Sequence, residues 1–201
     1  MLATLTQLEK HLQTDLGADT DGYVAEYLAQ AQAACESYCR QPLEWAASIV
    51  DTFEDAGTWH QLSQFPVTGV TSIVEDTYTL TVTDEYLWYS DGRLRRVAGS
   101  VDWRWTTNPN GVVVTFDAGY GTGAPVETIP PDLSLAIVTY AAALFRHGAA
   151  YAADGAKPIK SITLEGSDTI QYAVASEPLT EQPLLGQRSK QLLGPYMRRI
   201  M

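Results

Sequence analysis

The chain has 201 residues, 45% of them hydrophobic, and a formal net charge of −11. That length suits one domain with an insertion or two small domains, with enough apolar residues for a packed core. A metal site would need more Cys or His near Cys35 and Cys39 than the distant His11, His60 and His147 supply, so both cysteines read as small, reduced residues on a buried helix face.

The charge is uneven along the chain. Residues 1–92 carry 15 Asp and Glu against Lys10 and Arg40, a balance of −13; residues 93–201 carry 11 Lys and Arg against nine acids, a balance of +2. An acidic surface of this kind keeps a protein soluble, and it repels nucleic acid rather than gripping it. The opening MLATLTQLEK lacks the basic-then-apolar order of a signal peptide. The most apolar run, Leu133–Phe145, has 13 residues, where a bilayer span takes about 20. The expectation is a soluble intracellular protein without a membrane partner.

Taken in chain order, Thr4 is placed to cap a first helix with Leu5, Leu8, Leu12 and Leu16 on one face, ended by Gly17. Asp19-Thr20-Asp21 opens a second helix, whose Val24, Tyr27, Leu28, Ala31, Cys35 and Tyr38 form an apolar stripe, and Pro42 limits it. From Trp45 to Tyr120 the pattern turns to short β-rich runs: 48–53, 59–62, 70–74, 78–82, 93–97 and 112–116. All five tryptophans fall here, as filling for a thin core. Alternation puts Arg93 and Arg95 on one strand face, either a solvated face or an interface. Pro131 starts a third helix running to about Ala153, so apolar in its first half that it is covered on most sides. The cover comes from its own chain or from a neighbouring subunit. Runs at 159–164 and 169–174 flank Glu165-Gly166-Ser167-Asp168 as a hairpin, and a last helix covers roughly 184–193 before Gly194-Pro195.

The fold class is therefore α+β: a bundle of about four helices, with a small antiparallel β module inserted and a C-terminal hairpin plus tail. Residues 1–44 are the N-terminal helices and 45–120 the β module. Residues 121–201 hold the long helix, hairpin, last helix and tail, forming one structural unit with 1–44.

Little of this carries chemistry. The stretch VVVTFDAGYGTG at 112–123 delivers glycines spaced G-x-G-x-G, not G-x-G-x-x-G, and prolines delay the next helix, so the dinucleotide fingerprint fails. No G-x-S-x-G, H-E-x-x-H, C-x-x-C or Walker lysine is present. The acids Asp51, Glu54, Asp55, Glu75, Asp76, Asp84 and Glu85 sit at strand ends and turns, where solvated carboxylates are common. The reading is of no enzyme and no cofactor.

Five segments in order are familiar: AACESYCRQPL at 33–43, FPVTGVTSI at 65–73, VTFDAGY at 114–120 ahead of IPPDL at 129–133, KSITLEG at 160–166 and LLGPYMRR at 192–199. Together they resemble the head–tail connector (adaptor) proteins of long-tailed bacteriophages and gene transfer agents, over nearly the whole chain except the β section 78–110. The resemblance implies a structural protein of the virion neck, assembled in the host cytoplasm. It would form a ring of about twelve copies under the capsid portal protein, link it to the stopper or tail-terminator protein, and line a channel through which genomic DNA passes without specific binding. In that family the glycine segment joins the β module to the long helix, and there are no catalytic residues. The expected portal-docking tail is Tyr196, Met197, Arg198, Arg199, Ile200 and Met201, loose until assembly. The subunit-interface candidates are Leu135, Val138 and Ala142 on the third helix, with Arg93 and Arg95. A tail-completion or stopper protein is the alternative within the same assembly, and a small acidic enzyme the alternative of another class.

Overall fold

The computed structural model describes residues 1–14, 16, 23–54, 57–121, 129–153, 162–163, 169–170 and 185–198. Among them are four α-helices and antiparallel sheets, an α+β architecture. Helix α1 (Leu5–Leu12) opens with a capping box: Thr4 Oγ1 accepts from the Gln7 N–H, and Gln7 Oε1 accepts from the Thr4 N–H at 2.9 Å. It closes a turn earlier than the leucine spacing predicts, because Gln13 takes a left-handed φ of 55° and caps the end. Leu16 still packs against the helical core, while Gly17 lies outside the described residues.

Helix α2 (Tyr23–Cys39) buries Val24, Leu28, Ala31, Cys35 and Cys39, with Tyr27 and Tyr38 half-buried beside them. Its predicted start at Asp19–Asp21 lies outside the described residues. Helix α3 (Pro131–Ala153) begins at the predicted proline. Helix α4 (Gln187–Leu193) starts three residues later than the predicted 184, and Gly194-Pro195 tighten the chain into a 3-10 turn through Tyr196 instead of ending the winding.

The β section forms two sheets. Strands β1 (Ala46–Phe53), β3 (Val67–Glu75), β4 (Tyr78–Thr79) and β8 (Val112–Ala118) make the larger one, in the order β1-β8-β3-β4. Strands β2 (Trp59–Gln61), β5 (Tyr86–Trp88) and β6 (Arg93–Ala98) make the smaller, in the order β2-β6-β5, and β7 (Val101–Asp102) pairs with β6. Strands β5 and β7 have no counterpart among the predicted runs, and the predicted 78–82 run shrinks to two residues. Both are too short to carry a period of their own; pairing with β6 defines them. Further on, β9 (Ile162–Thr163) pairs antiparallel with β10 (Thr169–Ile170); the rest of the expected hairpin lies outside the described residues.

Two hydrophobic cores result. One draws on residues from Leu2 to Leu43 and again from Leu133 to Tyr196. The other joins Leu62, Ile73, Leu94, Trp105, Val114 and Phe116 between the sheets. Trp105 is the tryptophan buried there; Trp59 and Trp103 are exposed, so the tryptophans do not act as a group to fill the core.

The chain enters and leaves the β section at one place. Trp45 N–H donates to Tyr120 O at 2.8 Å, and Tyr120 N–H donates to Leu43 O at 2.9 Å. Between them Gly119 sits at φ +105°, where an added Cβ would lie 2.6 Å from both Glu44 O and Gln64 Nε2. The glycine is there for close backbone approach, and the strand-to-turn reading of this stretch is the one the geometry supports. Gly119→Ala should cost about 3 kcal/mol from combined φ strain and clash. Gly69→Ala, with nothing within 4 Å of the new methyl, should stay within about 0.5 kcal/mol. Urea unfolding of the two variants beside the parent checks the difference.

Candidate interface surfaces

The sequence offers three candidate surfaces, and the structure treats them differently. On α3, Val138 and Ala142 are buried against the chain's own helices, at 3% and 1% exposure. Their cover within the single chain is intramolecular. Leu135 is only half-buried. It lines an open groove of about 420 Å³ with Gln7, Lys10 and His11 of α1 and Pro131, Ser134 and Val138 of α3.

Arg93 and Arg95 do share a face, and the residue between them explains why it holds together. Arg93 lies 5.7 Å and Arg95 5.2 Å from the ring centre of Trp59, and Arg93 also sits 5.1 Å from Tyr89. Asp91 binds Arg93 at 2.7 Å, and Asp102 pairs with Arg95. On the opposite face Arg96 is nearly enclosed. Its guanidinium bonds Glu75 Oε2 at 2.9 Å and the carbonyls of Glu85 and Val97 at 2.6 and 2.8 Å, while Thr106 N–H donates to Glu75 Oε1 at 2.7 Å. Glu75 is thus a half-buried structural carboxylate, not the solvated one its place at a strand end suggests. Arg96 escaped the sequence reading, although its place directly after the outward Arg95 is the signal that it points to the other face.

The C-terminal segment departs most from expectation. Tyr196 is 7% exposed, packed edge-on to Tyr120 with ring centres 5.8 Å apart, and its hydroxyl donates to Asp132 Oδ1 at 2.6 Å. Buried Gln41 donates to Tyr196 O at 2.8 Å and accepts from the Phe65 N–H at 2.8 Å. Arg198 N–H reaches Cys39 O, and its guanidinium reaches Gln61 O at 3.3 Å. Tyr196 through Arg198 therefore form a strap fastened to the helices and the β section of their own chain, not a loose end. Arg199, Ile200 and Met201 lie outside the described residues.

Of the histidines, His60 is buried between the rings of Phe53, at 4.3 Å, and Trp105, at 5.3 Å. His11 lies in the α1–α3 groove, and the side chain of His147 is outside the described residues. Among the described residues no three His, Cys, Asp or Glu could hold a metal ion, and no helix is long and apolar enough to cross a membrane. Burial pushes the Cys35 thiol up to about 12, with the neighbouring Cys39 and Glu36 adding to it, so it stays protonated at neutral pH.

No family model matches the chain, and no curated protein is significantly similar in sequence. Solved structures are similar over almost its whole length. A chain in the neck of an empty gene transfer agent (GTA) particle, computed with C6 symmetry, superposes with a TM-score of 0.53 at 20% identity. The match covers 98% of this chain and 90% of that one. The fold is one found in a gene transfer agent neck. A chain in the neck of the native particle, computed with C12 symmetry, gives 0.52 at 17% identity, and one in the virion of the native particle gives 0.50 at 20%, with the same coverage.

The strap makes a pH prediction. Burial, then the hydrogen bond to Asp132, holds the Tyr196 phenol well above its usual value, and burial raises Tyr120 to about 12. Both phenols keep their protons longer in the folded state, so their contribution to stability is complete below about pH 10 and is lost as pH rises beyond it. Tyr196→Phe should cost about 1 kcal/mol at about pH 8 and should lose less stability than the parent on going to about pH 11. Urea unfolding at the two pH values reads both effects.

Proposed function

We propose that this chain is a structural head–tail adaptor, present as a ring of about twelve copies between the capsid portal and the stopper or tail, around the channel that the DNA traverses. The observation that carries the reading is the fold shared across 98% of the chain with a chain of a gene transfer agent neck, together with the C12 symmetry of that native neck. The order of the five segments noted in the sequence supports the same family. On this reading the chain binds structurally and catalyses nothing. Its acidic character suits a bore that lets DNA slide: residues 1–92 carry −13, and an anionic wall offers phosphates no purchase.

Leu135, Arg93 and Arg95 are the contacts between copies, since they remain accessible where Val138 and Ala142 do not. The portal-docking role falls to Arg199, Ile200 and Met201, with Tyr196, Met197 and Arg198 as the strap that presents them.

Removing residues 199–201 should abolish binding to portal-bearing capsids that lack this protein, while leaving the unfolding temperature unchanged. A pull-down with purified capsids and a thermal melt measure the two. Undiminished binding would rule out the tail as the portal contact.

A further inference from the structure

The ring reading leaves open how an acidic chain packs tightly against copies of itself. Residues 1–92 carry −13, so closely packed copies repel one another unless cations of one copy meet acids of the next. The small sheet provides both, on opposite edges. Strand β2 lies at one edge of the order β2-β6-β5, and there Trp59, 37% exposed, lies under the guanidinium groups of Arg93 and Arg95. Trp and Arg are the residues that most often dominate interface energetics, and the stacking removes part of the ordering cost before any partner arrives.

At the other edge Val82, 46% exposed, bridges Tyr86 of β5, on a ridge that leads from the 63% exposed Tyr78 of β4, the edge strand of the larger sheet, to the exposed Asp84. The ridge is held in shape by its backbone. Leu80 N–H bonds Ile73 O, Thr83 N–H bonds Tyr86 O, and Gly99 N–H bonds Asp84 O at 2.8 Å. It offers apolar surface with a carboxylate at its tip, complementary to an indole flanked by guanidinium groups.

We propose that copies of this chain meet head to tail through these two edges, the Trp59–Arg93–Arg95 flank of one receiving the Tyr78–Val82–Asp84 ridge of the next. The inference rests on the ring reading and adds which surfaces close it. Two different surfaces on opposite edges repeat around an axis and build a closed ring, whereas pairing the arginine flank with itself would set like charges together. Asp91 and Asp102, each about half exposed, hold the arginines in place at the rim. Asp84 of the next copy then adds a carboxylate from the partner side.

The test uses the full chain, assembled on portal-bearing particles that lack their own copy. With Arg93→Cys and Asp84→Cys in one chain, mild oxidation should give a ladder of disulfide-linked oligomers up to the closed ring. Each single variant should stay uncrosslinked, since Cys35 and Cys39 are buried. Arg93→Glu should weaken ring formation by about tenfold or more, and adding Asp84→Arg to the same chain should restore it. Rings seen by electron microscopy without a ladder, or dimers from Arg93→Cys alone, would place the contact elsewhere and overturn the inference while leaving the adaptor reading standing. Particles that never acquire a ring from the unaltered chain would overturn both.

Discussion

The structure depends on a seam where the β section joins the helices. The helical core is built from both ends of the chain, so the chain must depart after Leu43 and return at Tyr120 almost in register, and two backbone bonds between those segments fix that register. Gly119 lets them approach to a distance no side chain tolerates. Two glutamine amides then fill the polar space the approach creates. Gln64 donates to Glu44 O at 2.7 Å, and Gln41 ties Tyr196 O to the Phe65 N–H. Both amides are nearly fully buried, at 3% and 4% exposure, so losing either leaves backbone groups without partners in a dry setting, the costly case for a hydrogen bond.

That seam links architecture to the proposed role. A neck component has to present several surfaces at fixed angles, and a hinge between helices and sheets would spoil the repeat around the axis. Here the junction is closed three ways: by strand-like pairing at Leu43–Trp45 and Gly119–Tyr120, by the buried amides, and by the strap from Tyr196 to Arg198 that runs from Asp132 and Cys39 to Gln61. The inner charge pair Arg96–Glu75 does the same inside the β section, joining the smaller sheet to the larger. With both carboxylate oxygens and all three guanidinium nitrogens of that pair bonded, its value lies in fixing the relation of the sheets more than in net stability.

Features with a period were legible in the sequence. The apolar stripe of α2, the proline at the start of α3, the Thr4 cap and the β-branched runs of β1, β3 and β8 all appear where spacing puts them. Alternation set Arg93 and Arg95 on one face, where both stack on Trp59. What was missed depends on partners distant in the chain. Strands β5 and β7 exist because β6 lies beside them. Gln41 and Gln64 are single polar residues without periodicity, and only folding shows what they and Arg96 touch. The C-terminal strap was misread for the same reason: Tyr-Met-Arg-Arg looks like a free amphipathic end, while Asp132, Gln41 and Cys39, which hold it, lie far away in sequence. The third helix was ambiguous because an apolar surface does not reveal whether its own chain or another covers it.

Electron cryomicroscopy of the particle neck, with this chain assigned in the density, tests the central claim most directly. The account predicts a closed ring of about twelve copies around the DNA channel, between capsid and tail, each copy keeping the seam and strap described above. Density showing the chain as isolated copies, or at a site away from the channel axis, would contradict it.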